Sequence, residues 1–229
     1  MAALRDIVAA LATPSEPGAP PLTGGMVGYL SYDVVRYLER LPDTGVRDIP
    51  LPELGMMLVT DLAVLDHHDG SLLLIANAIL PPVGPALDAS HTADAGQNAG
   101  RDDAVIAGAY HRAVGRLEAM TTALSRPIAP SVATLTDPGE IEYTSTMPVG
   151  TFGKAVEECK AAIRAGECFQ IVPSQRFSRA TDADPLDIYR VLRATNPSPY
   201  MYLLRFDGFD IAGSSPETQV QMTGGRALL

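Results

Sequence analysis

The feature that most constrains the fold of this chain is a pair of apolar runs joined by a short polar turn. Residues 56–66 and 71–80 are rich in leucine, valine, isoleucine and methionine, and the segment between them ends in Asp69-Gly70. An Asp-Gly pair between two such runs is a strong signal for a β-hairpin, because glycine adopts the backbone angles of a tight turn without strain. The sequence therefore predicts an antiparallel pair of strands here.

The rest of the chain alternates between predicted helices and predicted strands. Apolar residues at helical spacing predict a helix that begins after Asp102, whose carboxylate suits a helix N-terminus. A second helix is predicted from about Pro148 to Gly166. Shorter helices are predicted at 2–12 and 184–195, and strands at 24–35, 167–179, 200–206 and 209–222. The pattern predicts an α+β fold with mainly antiparallel sheets and surrounding helices.

Two turn-rich stretches divide the chain. Residues 81–100 combine Pro, Gly, Ala, Asp and Asn without periodicity, so we expect a mobile excursion there. Residues 126–144 contain three prolines, which predicts a linker across the surface. We place the boundary near Glu140, so that the chain divides into regions 1–139 and 140–229.

Charge, hydropathy and motifs exclude several classes of function. The formal net charge is −10, and lysine occurs only twice, so we expect no nucleic-acid partner. No stretch approaches the roughly 18 consecutive apolar residues of a membrane span, and the first residues lack a signal-peptide pattern, so we expect a cytoplasmic protein without membrane association. The common dinucleotide, nucleoside triphosphate, zinc-protease and serine-hydrolase motifs are absent. Any active site must therefore be of a less common kind.

Four segments carry residue patterns that simple packing does not require. They are GGMVGYLSYDVVR at 24–36, GECFQIVPSQRF at 166–177, NPSPYMYL at 196–203 and AGSSPE at 212–217. These segments resemble consecutive motifs of anthranilate synthase component I, in the same order and spacing, and the resemblance covers residues 22–229. The PSQRF and NPSPYM segments favour this family over its relatives that make aminodeoxychorismate, isochorismate or salicylate.

The resemblance implies a partial anthranilate synthase component I-like fold, in which antiparallel sheets and helices enclose a magnesium-bound chorismate. It implies that residues 1–139 belong to the N-terminal regulatory region and that residues 140–229 begin the chorismate-binding catalytic region. The implied reaction adds ammonia at C2 of chorismate and then eliminates pyruvate. A glutamine amidotransferase subunit normally supplies the ammonia.

Two residues take catalytic roles from the resemblance. Glu217 matches the family glutamate that assists departure of the C4 hydroxyl, a step that needs proton donation because hydroxide is a poor leaving group. Gln170 matches a position where family members that add water carry a lysine. Ammonia is already a nucleophile, so a neutral glutamine that orients it is sufficient. Without the resemblance, both residues would be interpreted as ordinary polar strand residues.

Two further sets of residues match ligand-binding segments of the family. Gly213, Ser214 and Ser215 match the substrate-binding segment, and their small size would admit substrate closely. Pro199, Tyr200 and Met201 match the segment that contacts inhibitory L-tryptophan, since an aromatic ring and a thioether suit an indole. The alternative is that this second segment enters a strand and packs into the core. The family's other tryptophan-contacting motif, an LLES-like segment, is missing from this chain.

The sequence also departs from the family pattern. Beyond Leu229 the family continues with a PIAGT-like loop, the catalytic histidine and the glutamates that hold Mg²⁺. We therefore expect a fragment truncated at both ends, with no metal ligand within this chain and no activity by itself. The alternatives are aminodeoxychorismate synthase component I, which uses the same substrate but retains pyruvate, and a non-catalytic fragment that binds tryptophan or the amidotransferase subunit.

Overall fold

The computed structural model describes residues 2–14, 16–81, 102–130, 132, 139–223 and 225–228. The chain forms two compact units, Met1–Ala129 and Pro130–Leu229, and the boundary predicted near Glu140 lies inside the second unit. The excursion predicted at 81–100 lies outside the described residues except for Pro81, and the linker predicted at 126–144 lies partly outside them.

The described residues of the first unit form two helices, a short 3₁₀ helix and two antiparallel strand pairs. In chain order its elements are α1 (Ala2–Ala10), β1 (Gly25–Leu30), the 3₁₀ helix (Tyr32–Tyr37), β2 (Leu54–Val59), β3 (Asp61–Leu65), β4 (Leu72–Ala76) and α2 (Asp103–Leu124). Strand β1 pairs with β2, and β3 pairs with β4. Among the described residues of this unit, the buried apolar side chains are those of Val34, Ala109 and Ala113.

The predicted hairpin is confirmed in β3 and β4, which pair from Asp61 opposite Ala76 to Leu65 opposite Leu72. The turn is held by its own side chains, because the Ser71 N–H donates to Asp69 Oδ1 at 2.8 Å. Gly70 has φ of +74°, a left-handed conformation that favours glycine.

The strand predicted at 24–35 is confirmed only as far as Leu30. The chain then turns into the 3₁₀ helix, where Arg36 Nε donates to Asp33 Oδ1 at 2.8 Å. That bond joins residues three apart, which a helical turn brings together and an extended strand does not. The apolar run at 56–66 is likewise two strands, because β2 ends at Val59 and β3 begins at Asp61.

Helix α2 is fixed at its N-terminus and along its length. The Asp102 side chain accepts a hydrogen bond from the Ala104 N–H, as the sequence predicted for a helix start. Farther along, Arg116 Nε donates to Asp61 Oδ1 at 2.9 Å, and Arg116 Nη2 donates to the Asn77 carbonyl at 2.6 Å. This arginine therefore ties α2 to β3 and to the end of β4.

Two helices and three antiparallel strand pairs make up the described part of the second unit. Its elements are β5 (Thr144–Ser145), α3 (Thr151–Ala165), β6 (Phe177–Ser178), α4 (Pro185–Thr195), β7 (Tyr200–Phe206), β8 (Phe209–Ser215), β9 (Gln221–Thr223) and β10 (Arg226–Leu228). Strand β5 pairs with β6, β7 with β8, and β9 with β10. The α+β class with antiparallel sheets is thus confirmed.

Three predicted boundaries in this unit are wrong. The strand predicted at 167–179 is reduced to Phe177–Ser178, and the Phe169 and Val172 side chains upstream are 103% and 79% exposed. Alternation alone does not make a strand, because the backbone also needs a hydrogen-bonded neighbour, and β5 offers only two residues. Helix α3 begins at Thr151 after Gly150, beyond the predicted Pro148. The strand predicted at 209–222 ends at Ser215, directly before a proline, which cannot donate to a strand ladder.

Candidate active site

The hairpin formed by β7 and β8 carries most of the predicted site residues and places two predicted sites opposite each other. Tyr200 pairs with Ser215, and Met201 pairs with Ser214. The segment predicted to contact tryptophan therefore lies across one ladder from the segment predicted to bind substrate. The sequence predicts two separate sites, and the strand register joins them.

The register follows from the tight turn that links the two strands. Asp207-Gly208 forms a two-residue connection, and Gly208 has φ of +86°. The Phe206 and Phe209 rings on either side stack at a centroid distance of 4.9 Å. This turn sets Phe206 opposite Phe209, and counting back along both strands from it gives the pairing at the open end of the hairpin.

One face of the hairpin is held against α4. Arg205 Nη2 donates to Asp184 Oδ1 at 3.2 Å, and Asp184 is also the N-cap of α4. At the other end of the helix, Ser214 Oγ donates to the carbonyl of Asn196, the C-cap residue, at 2.7 Å. Met201 and Ser214 are partners in the register, so Met201 lies on this same face.

Tyr200 and Tyr202 lie on the opposite face, because side chains alternate along a strand. Their side chains are 47% and 43% exposed. The Tyr202 ring lies across Gly213, where a Cβ would overlap the ring atoms. Gly213 thus makes room for an aromatic side chain, whereas the resemblance predicts that it makes room for substrate. The signal was available, since the Asp207-Gly208 turn places Tyr202 directly opposite Gly213.

Both serine hydroxyls in the predicted substrate segment are used within the protein. Ser214 donates to Asn196, and Ser215 Oγ donates to the Glu217 carbonyl at 3.0 Å. The second bond closes the short turn that carries Glu217 away from the end of β8. Each hydroxyl has one proton, so only the oxygen lone pairs of these serines stay available to a ligand.

The two predicted catalytic residues lie in different segments and are not joined by hydrogen bonds among the described residues. Glu217 is exposed, two residues after the end of β8, and no hydrogen bond to its carboxylate occurs within the described part of the chain. Gln170 is also exposed and lies in the irregular segment between α3 and β6. No hydrogen bond connects Gln170 to the hairpin within the described ranges. Pro199 lies in the bend that enters β7.

A groove lies elsewhere in the second unit and contains none of the predicted site residues. It has a volume of about 640 Å³, and it is lined by Ile141, Glu142, Tyr143, Thr144, Ser178, Arg179 and Ala180 beside the β5–β6 pair. It is open and shallow, so we give the hairpin more weight as the candidate site. No three acidic, histidine or cysteine side chains among the described residues are grouped closely enough to hold a metal ion.

The chain is similar to proteins of known family over nearly its whole length. The sequence profile described as chorismate binding enzyme matches residues 2–229. Anthranilate synthase component 1 of Mycobacterium tuberculosis strain ATCC 25618 / H37Rv is 46% identical over 228 residues, which cover 97% of this chain and 40% of the relative. The Mycolicibacterium smegmatis protein of the same name is 44% identical over 231 residues, covering 98% of this chain and 40% of the relative.

The comparison of folds points to the same family as the comparison of sequences. The crystal structure of anthranilate synthase component I from Streptococcus pneumoniae TIGR4 superimposes with a TM-score of 0.70 at 25% identity, covering 98% of this chain and 46% of that chain. The chain thus spans about 40% of the length of the curated relatives named above. None of the helices in the described residues is long and apolar enough to cross a membrane. By its sequence and its fold, the chain belongs to the family of chorismate-binding enzymes.

Proposed function

We propose that this chain is part of an anthranilate synthase component I that converts chorismate and ammonia to anthranilate, pyruvate and water. The observation that carries the proposal is the match to proteins named anthranilate synthase component 1 over 97% of the chain. The arrangement of the hairpin supports it, because the turn after β8 presents an acidic side chain beside small residues.

In the proposed reaction Glu217 acts as the general acid. It donates a proton to the C4 hydroxyl of chorismate, which leaves as water while ammonia forms the new bond at C2. The exposed position of Glu217 lets a substrate approach it, and the Ser215 hydroxyl restrains the turn that carries it. The C3–O bond of the enolpyruvyl group then breaks, the C2 proton is transferred to its methylene carbon, and pyruvate leaves as the ring becomes aromatic.

Gln170 has a supporting role in the proposal. Its amide can accept a hydrogen bond from ammonia or donate one to substrate, without carrying a charge that would compete for protons. The irregular segment that carries Gln170 would have to approach the hairpin for this role, because no hydrogen bond joins them among the described residues. We therefore propose that this segment moves toward the hairpin when substrate binds.

The partners and regulation are also proposals. A glutamine amidotransferase subunit would supply ammonia, and L-tryptophan would inhibit by contacting Pro199, Tyr200 and Met201. The partly exposed Tyr200 ring supports this contact. A cytoplasmic location would suit such an enzyme. Mg²⁺ is the expected cofactor, but the described residues do not provide a cluster that fits it, so no step here is derived through the metal.

The test uses a hybrid enzyme in which this chain replaces the matched segment of the Mycobacterium tuberculosis relative. Anthranilate formation is followed by fluorescence with chorismate, ammonium and Mg²⁺. We expect Glu217→Gln to lower kcat by about 10²–10⁴-fold, because it keeps the size of the side chain but removes the acid. Glu158→Gln, at an exposed glutamate on α3, is the matched control and leaves kcat within twofold. Equal rates for the two variants would remove Glu217 from the mechanism.

A further inference from the structure

The hydrogen bond from Ser214 to Asn196 closes a small ring in the second unit. From Asn196 the chain runs through a short loop into β7, and Met201 on that strand is the register partner of Ser214 on β8. Ser214 then returns to the Asn196 carbonyl through its hydroxyl at 2.7 Å. The loop and both strands are thus joined at two points.

This ring contains stiff elements. Pro197 and Pro199 fix two backbone φ angles in the loop, so the loop cannot easily absorb a displacement. The backbone of Asn196 is no longer helical, with φ of −139° and ψ of 63°. Its carbonyl accepts the hydrogen bond from Ser214 instead of one within the helix. A shift of the loop therefore moves Ser214.

A second hydrogen bond joins the end of β8 to the turn that carries Glu217. Ser215 follows Ser214 directly, and its hydroxyl holds the carbonyl of Glu217 at 3.0 Å. A displacement of Ser214 thus acts on the turn that positions Glu217 through two consecutive residues. The path from the loop to Glu217 uses two serine hydroxyls and one strand pairing.

We propose that Ser214 is a positioning residue that couples an aromatic amino acid bound at Pro199–Met201 to the placement of Glu217. This inference rests on the proposed function, and it changes the role of Ser214 from a substrate contact to a link between two sites. A substrate contact would act through chorismate affinity. A residue that links the two sites changes the strength of inhibition instead, because it transmits a ligand-dependent shift of the loop to Glu217.

The link is tested first in the chain itself by hydrogen–deuterium exchange of the segment 196–203. Ser214→Ala removes the hydroxyl, and we expect exchange in this segment to become about two- to tenfold faster. Ser214→Thr keeps a hydroxyl and should restore the parent rate. Ser215→Ala is the matched control, since its hydroxyl bonds to Glu217 and not to the loop. Parent-like exchange in Ser214→Ala would overturn the link.

The functional consequence is measured in the hybrid enzyme with the same three variants. For Ser214→Ala we expect the tryptophan concentration for half inhibition to rise about two- to tenfold, with the KM for chorismate changed less than twofold. For Ser215→Ala we expect kcat to fall and the half-inhibitory concentration to rise as well, because its hydroxyl is the second step of the path to Glu217. A rise in KM with parent-like inhibition in Ser214→Ala would restore the substrate-contact role and overturn the inference. A parent hybrid that forms no anthranilate would refute the proposed function, and the exchange experiment would still decide the link.

Discussion

Gly28→Ala tests the close approach of two backbones in the first unit. Gly28 lies opposite Met56 in the β1–β2 ladder. A Cβ at Gly28 would overlap the Gly55 carbonyl oxygen, and it would lie 2.8 Å from Met56 Cα and 2.9 Å from the Gly55 carbonyl carbon. Carbon atoms in contact normally lie about 3.5–4.0 Å apart. All three obstacles are backbone atoms, so a side-chain rotation cannot relieve the clash.

The magnitude follows from what must move. Separating the strands by about 1 Å lengthens the neighbouring ladder hydrogen bonds beyond their useful range, and each is worth about 1 kcal/mol net. Overpacking of this kind costs about 1–3 kcal/mol by itself. We therefore expect Gly28→Ala to lower the free energy of unfolding of the first unit by about 3 kcal/mol, a large part of the stability of a typical domain.

The assay is urea unfolding followed by circular dichroism, together with hydrogen exchange in residues 25–30, because a chain of two units need not unfold in one step. Gly115→Ala in α2 is the matched control. A Cβ there meets nothing within 4 Å, so we expect a gain of up to about 1 kcal/mol from the better helix propensity of alanine. An unchanged midpoint and unchanged protection of β1 in Gly28→Ala would refute the clash.

Three further predictions concern polar contacts and the proposed inhibitor site. Asn77 Nδ2 donates to the carbonyls of Thr23 at 2.7 Å and Thr60 at 2.9 Å, so Asn77→Asp, which replaces the donors with a carboxylate, should lower the free energy of unfolding in urea by about 2 kcal/mol. A smaller loss of stability in Asn77→Asp than in Asn77→Ala would contradict this prediction. Hydrogen bonds from the Ser71 side chain and N–H lower the pKa of Asp69, so protection of the Ser71 amide from exchange should be complete above the unfolded-state pKa of Asp69 and lost as the pH falls through its folded-state pKa. Exchange that is independent of pH, after correction for intrinsic rates, would contradict this prediction. In the hybrid enzyme, Tyr200→Ala should weaken tryptophan inhibition about tenfold and turnover much less, whereas equal losses would favour a packing role.

The elements that the sequence predicted well are those whose ends are set by local chemistry. Asp102 and Asp184 cap α2 and α4 through bonds to the second residue of each helix, and Gly166 ends α3 with φ of +81°. The turns at Gly70 and Gly208 likewise fix their hairpins with residues that are adjacent in sequence. Such contacts need no information from distant parts of the chain.

The elements that were missed depend on distant neighbours. The segment 167–179 has the alternation of a strand, but a strand also needs a paired backbone, and in this segment residues 176–178 near its end are paired across to residues 144–146. The predicted site residues were grouped by resemblance, so the sequence did not show which of them face each other. The Ser214 hydroxyl donates to the carbonyl of Asn196 at the end of α4, and this contact exists only when the hairpin packs against that helix.

In the proposed function, this chain supplies an anthranilate synthase with the acid Glu217, on the turn that follows the β7–β8 hairpin. The most direct measurement is the product stoichiometry of the hybrid enzyme with chorismate and ammonium, using fluorescence for anthranilate and lactate dehydrogenase with NADH for pyruvate. We predict one pyruvate for each anthranilate, with both products lost together in Glu217→Gln. Consumption of chorismate to an aminated product without pyruvate would contradict the claim and indicate aminodeoxychorismate synthase chemistry instead.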